Sequence, residues 1–161
     1  HNVLELTEPE LKRHGITLNL IDDPQLPLVN ADNIQLEQVL FNIVRNSIQA
    51  MASSSTNQRE LTVRSHHYDN EVLIEMTDTG PGMDADTLKD VFKPFVSTKG
   101  AAGMGMGLSI CRSIMEAHHG EIWAESEPGH GATFYIKLPV DDEAAMSDNT
   151  DGQLVVSETE N

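Results

Sequence analysis

The sequence predicts an α+β fold: a two-layer α/β sandwich in which about three helices cover one face of a mixed, mostly antiparallel sheet of about five strands. Three observations predict it. Leu61–Tyr68 and Val72–Thr77 are strand-like runs joined through the turn-forming dipeptide Asp69-Asn70. A long helix from Asn33 to about Met51 follows a capping Asp32 and repeats Leu36, Leu40, Ile43, Ser47 and Met51 at three- and four-residue steps. Two final strands, Glu121–Glu125 and Thr133–Leu138, flank the turn-rich Pro128-Gly129-His130-Gly131.

The remaining elements follow in order. Thr7-Glu8-Pro9-Glu10 reads as a helix start, with a Thr cap, an early proline and acids favoured by the helix dipole. Gly15 ends that helix. Ile16–Leu20 alternates apolar and polar residues with period two, as a half-buried strand does. Asp22-Asp23-Pro24 turns the chain into a second extended piece, Leu26–Val29. Ser53–Asn57 is a loop. A short helix is expected near Ala85–Val91 and a longer one from Gly107 to about His118, stopped by Gly120.

Bulk properties bound the function. A chain of 161 residues with 39% apolar content suits one globular domain with a real core. No run approaches the roughly 18–20 apolar residues of a membrane span. The N-terminal residues lack the basic-then-apolar pattern of a secretion signal, and a start at His1 reads as a piece of something longer. The single Cys111 excludes an internal disulfide and fits a reducing, cytoplasmic setting. It lies in an apolar helical pattern, which favours a buried structural thiol over a reactive one.

The formal charge is −16. Residues 141–161 hold seven acids and no Lys or Arg, leaving 19 acids against 10 bases over residues 1–140, a charge of −9. Such a surface argues against nucleic acid, whose phosphates attract basic faces. It leaves room for a nucleotide, which needs only local positive charge and backbone N–H groups. The acidic tail has no periodicity and reads as a disordered extension, with Leu154-Val155-Val156 as its one apolar piece.

Four short segments carry chemistry. On the long helix, Gln35, Gln38, Asn42, Asn46 and Gln49 form a face of neutral amides where a solvated helix usually shows Lys and Glu. An Asn carbonyl suits a hard cation and its NH2 suits a phosphate. Asn42 and Asn46 are one turn apart and point at one site. The helix alone fits a plain polar surface somewhat better than a site. Next, Asp78-Thr79-Gly80-Pro81-Gly82-Met83 follows a strand. A carboxylate fixed at a strand end accepts from an exocyclic amine such as adenine N6, and glycines let a planar ligand approach the backbone. The same residues also make an ordinary turn. Phe92-Lys93-Pro94-Phe95-Val96-Ser97-Thr98-Lys99 comes third. Last is Gly103-Met104-Gly105-Met106-Gly107-Leu108, glycines ahead of a helix, a common phosphate cradle and also a common hinge. It lacks the Gly-Lys-Ser/Thr of a Walker loop and the parallel βαβ context of a dinucleotide fingerprint.

In this order the segments resemble the ATP-binding catalytic domain of bacterial sensor histidine kinases, in the superfamily of gyrase, the heat-shock chaperone ATPase and mismatch-repair ATPases. Asn42 to Asn46 resembles its N box, Asp78-x-Gly80-x-Gly82 its G1 box, Phe92–Phe95 its F box and Gly103–Gly107 its G2 box. The likeness covers roughly Leu11 to Pro139. Asn46–Met51 and Pro94–Lys99 look most like the oxygen-, nitrogen- and dicarboxylate-responsive subgroup. Many other histidine kinases place Lys-Tyr where this chain has Gln49-Ala50.

The resemblance implies a Bergerat-type ATP-binding fold over residues 1–140, followed by the tail at 141–161, with ATP and Mg2+ as cofactors. It implies that Asn46 coordinates Mg2+, supported by Asn42, and that Asn46 and Lys99 carry the catalytic roles. Asp78 is expected to bind adenine N6, with Gly80, Gly82 and Met83 shaping the base pocket and Gln49 alongside. Phe95, Thr98, Lys99, Gly103, Met104, Gly105, Met106, Gly107 and Leu108 complete the ATP site, and Phe92 to about Met106 forms a lid. Phe92 and Phe95 are expected to anchor the near end of that lid in apolar surface.

The implied enzyme is an ATP-dependent protein-histidine kinase acting in two-component signalling. Its acceptor His lies in a helical dimerisation hairpin of the same parent protein, and a response regulator acts downstream. No His here is followed by an acid in a long amphipathic helix, so the acceptor hairpin is expected to lie outside this sequence and the histidines to be structural or surface residues. An ATP-hydrolysing relative is a competing class. It uses Glu one turn before the metal Asn, where this chain has Asn42, and an amide is no general base at neutral pH. An anti-sigma-type Ser/Thr kinase and a non-catalytic nucleotide-binding module compete as well, since both share the pocket.

Overall fold

The computed structural model describes residues 2–54, 58–94 and 107–140. Nine elements follow in order: α1 (Asn2–Arg13), β1 (Thr17–Asp22), α2 (Asn33–Ala52), β2 (Glu60–Tyr68), β3 (Glu71–Asp78), α3 (Ala85–Asp90), α4 (Gly107–Ala117), β4 (Glu121–Ser126) and β5 (Ala132–Pro139). The sheet order is β1-β2-β3-β5-β4. β1 runs parallel to β2, and the other pairs are antiparallel. The mixed, mostly antiparallel five-stranded sheet is as expected, with three long helices and the short α3.

Alternation decides which face is covered. Along β5, Ala132, Phe134, Ile136 and Leu138 are buried while the residues between them are half-exposed. They meet Leu61, Val63 and Met76 of the neighbouring strands and the buried side of α2. Each large side chain buried here contributes roughly 1.5–3 kcal/mol. α2 is buried over a wider arc than its expected face. Val39, Val44 and Ile48 join Ile43, Ser47 and Met51 inside, whereas Leu36 and Leu40 are only half-buried. The helix is in contact with α1, α4 and the sheet, so one apolar stripe is too narrow for its surroundings.

Helix ends follow the local rules. Asp32 takes an extended backbone and accepts from the Gln35 N–H at 2.9 Å, and Asp84 accepts from Thr87 N–H at 2.8 Å. After α1, Ile16 N–H bonds Leu11 C=O and Gly15 N–H bonds Lys12 C=O, with Gly15 at φ +63° and Leu11 and Ile16 both in the core. This is the Schellman arrangement with its apolar contact.

Three expectations are corrected. α1 begins at Asn2, and Thr7 lies inside it. The Thr7 hydroxyl donates to the carbonyls of Val3 and Leu4, so it bonds backwards within a helix rather than capping a new one. Gly120 does not take the left-handed conformation that ends α4. His119 does, at φ +55°, while Gly120 donates to Met115 C=O as the next residue of the motif. A Cβ at Gly120 would crowd the Lys137 carbonyl at 2.5 Å, so its smallness serves packing. Of Leu26–Val29, only Val29 pairs, in an isolated bridge to Val140.

Candidate functional site

Asp78 is the last residue of β3, the middle strand, between Leu61 of β2 and Ala132 of β5 in register. That position carries a carboxylate to the sheet end with only 3% of its surface exposed. Its Oδ1 accepts from Gly80 N–H at 2.9 Å and from Ala132 N–H at 3.3 Å. Burial raises its pKa above the ordinary carboxylate value. The bonds from Gly80 and Ala132 oppose that rise, as does the nearby Ser47 hydroxyl, although Ser47 Oγ reaches no full hydrogen-bond geometry. A carboxyl group whose charged form is penalised by burial, and whose Oδ1 is aimed by two backbone donors, stands where a ligand donor could reach it.

The following loop lies tight against its surroundings. A Cβ at Gly80 would stand 2.9 Å from Asp78 Oδ1 and 3.3 Å from Ala50 Cβ, so α2 and the loop touch with no room for a side chain. Gly82 sits at φ +71°, and a Cβ there would overlap the Glu127 carbonyl. Thr79 Oγ1 donates to Gln58 C=O at 3.1 Å and accepts from Glu60 N–H at 2.9 Å, tying the loop to the start of β2. Met83 N–H donates to Ser126 Oγ at 2.8 Å, and the Met83 side chain packs on the core.

On the helical side, Asn42, Asn46 and Gln49 are half-buried, and Gln35 and Gln38 are exposed or nearly so at the outer end. The amide face therefore has an inward end. Asn42 Nδ2 donates to Gly107 C=O at 3.5 Å and to Cys111 Sγ at 3.6 Å. Its NH2 is spent on α4, leaving its carbonyl oxygen as an acceptor. The Asn46 amide has no hydrogen-bond partner among the described residues. α4 starts at Gly107, so its N-terminal end lies beside Asn42. A buried carboxylate, an amide pair and a helix N-terminus together fit a nucleotide with a hard cation on its phosphates.

Cys111 is fully buried, and its thiol pKa is pushed up to about 11 by burial, so it stays protonated as the structural residue expected. Phe92 is buried, meets Phe134 edge-to-face at 6.3 Å and carries the Arg112 guanidinium over its ring, in keeping with an anchoring role. His118 is structural: Nδ1–H faces Ile114 C=O at 2.8 Å and Nε2 accepts from Asp32 N–H at 3.0 Å, joining the end of α4 to the cap of α2.

Asn42, Asn46 and Gln49, the loop Asp78–Met83, and Gly107 with Leu108 thus all fall on described elements. Phe95, Thr98, Lys99, Gly103, Met104, Gly105 and Met106 lie outside the described residues, as do most of the lid and the tail at 141–161. Sequence reasoning found the β4–β5 turn but missed its place beside Asp78. Gly129 N–H donates to Pro81 C=O at 2.7 Å, and Gly131, at φ +77°, packs so closely that a Cβ would overlap the Asp78 carbonyl. The paired glycines at 129 and 131 were the available signal, and they read only as a turn.

Residues 31–142 match the family described as histidine kinase-, DNA gyrase B- and HSP90-like ATPase. The C4-dicarboxylate transport sensor protein DctS of Rhodobacter capsulatus is 42% identical over 88% of this chain. The sensor protein FixL of Bradyrhizobium diazoefficiens is 44% identical over 82%. The chain spans 22% of DctS and 26% of FixL. The catalytic domain of histidine kinase ThkA superposes with a TM-score of 0.76 at 28% identity, covering 89% of this chain and 91% of that one. ThkA has also been solved in complex with a response regulator protein, TrrA.

Proposed function

This chain belongs to the histidine kinase-, DNA gyrase B- and HSP90-like ATPase family as a catalytic ATP-binding domain of the sensor histidine kinase type, and from that premise we propose how its residues serve phosphotransfer. The domain binds Mg-ATP between α2, the Asp78–Met83 loop and the start of α4. It presents the γ-phosphoryl group to a His on the dimerisation hairpin of its parent protein, which then passes it to a response regulator. The observation that carries this reading is Asp78, buried at a strand end with its carboxylate aimed by the N–H groups of Gly80 and Ala132.

Asp78 accepts from adenine N6, and the glycines at 80 and 82 let the loop pack closely against α2 and the β4–β5 turn around the base site. Asn46 holds Mg2+ through its amide oxygen, with the Asn42 oxygen beside it. Bound Mg2+ neutralises charge on the phosphate oxygens. The first N–H groups of α4, at Gly107 and Leu108, hold the phosphates, joined by Lys99, Thr98 and the Gly103–Met106 segment. Asn42 offers no base to activate water, so the γ-phosphate is kept for a protein acceptor.

The test is incubation with the separately produced hairpin domain and Mg-ATP. Acid-labile, base-stable phosphate on the hairpin His is expected. Steady hydrolysis by this chain alone supports an ATPase instead, and phosphoserine on a small protein partner supports an anti-sigma-type kinase.

A further inference from the structure

We propose that Ser126 is a positioning residue of the nucleotide pocket: its hydroxyl locks the two walls of the base site, the Met83 end of the loop and the Asp78 carboxylate, into one hydrogen-bonded unit. The proposal rests on the nucleotide reading above.

Ser126 lies at the end of β4, outside all four recognised segments and 48 residues beyond Asp78 in sequence. Its hydroxyl acts twice. It accepts from Met83 N–H at 2.8 Å and donates to Gly131 C=O at 2.6 Å. The Gly131 carbonyl and the Ala132 N–H belong to one peptide group, and that N–H donates to Asp78 Oδ1 at 3.3 Å. A continuous relay therefore runs from Met83 through Ser126 and the Gly131–Ala132 peptide to the carboxylate. Hydrogen bonds in series polarise one another, so donation to the Gly131 carbonyl strengthens the N–H that aims Asp78. The same turn holds Pro81 through Gly129 N–H at 2.7 Å.

Only a hydroxyl fills this place. It must give one proton to a carbonyl and take one from an amide at the same atom. Alanine or valine leaves Met83 N–H and Gly131 C=O both unpaired in a half-buried setting. Ser126 touches no ligand itself. It fixes where the ligand-facing groups stand, so its loss is felt by a base that donates to Asp78 more than by one that does not. Adenine presents an N6 donor to that carboxylate, whereas guanine presents an O6 acceptor.

The experiment compares the parent with Ser126→Ala, Ser126→Thr and Ser126→Val. Thr and Val share a shape that suits a strand end, so they differ only in the hydroxyl. Titration calorimetry measures ATP and GTP binding, amide exchange reports Met83, and melting without nucleotide reports the fold. In Ser126→Ala and Ser126→Val, ATP binding weakens about tenfold, the loss of roughly one net hydrogen bond. GTP binding changes less, Met83 exchanges faster, and Ser126→Thr behaves as the parent. Parental ATP affinity in Ser126→Val overturns the proposal while leaving the nucleotide reading intact. Equal weakening toward both nucleotides, tracking the loss of melting temperature and without rescue by Thr, reduces Ser126 to a structural residue and overturns it too. A parent protein that binds no ATP overturns the nucleotide reading itself, and this role for Ser126 with it.

Discussion

At the Asp78 end of the site, hydrogen bonds of 2.6 to 3.3 Å hold Gly131, Pro81, Met83 and Asp78 together, and Gly82 and Gly131 leave no space for a Cβ. At the Asn42–Asn46 end, Asn42 reaches α4 only at 3.5 and 3.6 Å, and the Asn46 amide is unpaired among the described residues. The first end is made by the end of the middle strand and a hairpin turn, whose backbone groups are joined to each other and to the Ser126 and Asp78 side chains. The second is made by amide side chains of α2 where it packs against the start of α4. On the function proposed above, the rigid end would bind the base at little cost, while the open end would take its final partners from the phosphates and metal.

The largest expected effect tests the open end. Asn46→Ala lowers Mg-dependent phosphotransfer by roughly 100-fold or more, as loss of a charge-stabilising group does. Its stability stays within about 0.5 kcal/mol of the parent, because no protein bond is lost. An unchanged transfer rate takes Asn46 out of the metal shell.

Gly131→Ala attacks the rigid end. It adds a clash to a left-handed backbone and destabilises by at least about 3 kcal/mol. Gly129, at φ +82° with open space around its Cβ position, serves as the control, and Gly129→Ala costs only about 1–2 kcal/mol. Equal urea midpoints for the two variants contradict the packing of the turn on Asp78.

Asp78→Asn separates binding from stability. ATP affinity falls roughly tenfold or more, with loss of a charged acceptor, and the preference over GTP erodes. The Asn oxygen still accepts from Gly80 and Ala132. Because the folded protein raises the Asp78 pKa, native Asp78 holds its proton more tightly than the unfolded chain does. Its contribution to stability is fully present below the unfolded value and is lost as pH rises through the raised folded value. Melting curves of the parent and Asp78→Asn without nucleotide should therefore diverge in favour of the mutant as pH rises from the acid range toward neutral. A gap that widens toward acid refutes the shift.

The smallest effect is on the stability of the open end. Asn42→Ala costs less than about 1 kcal/mol, since its two bonds are long. A denaturation midpoint shifted by several times that amount shows that the α2–α4 contact is a structural clasp rather than a ligand-facing gap.

The elements were legible because their signals are local. Asp32 caps α2, Asp69-Asn70 turns β2 into β3, and Gly15 closes α1, each within a few residues of the feature it controls. The amide face and the Asp-x-Gly-x-Gly loop were legible for the same reason. Thr7 misled because a hydroxyl that caps a helix from outside and one that bonds backwards inside it look alike in sequence. Gly120 misled because a glycine required by the Lys137 carbonyl resembles one required by its own φ.

By itself, then, the sequence determined the helices, the strands and the order of the ligand-facing segments, since periodicity and short motifs depend on neighbours along the chain. Tertiary structure alone decided that β1 lies parallel to β2, that Asp78 stands in the middle strand, and that Ser126 and Gly131 support it from about 50 residues away. Each of these contacts has a backbone group on at least one side, and a backbone N–H or carbonyl leaves no mark on residue identity until the fold has chosen its partner.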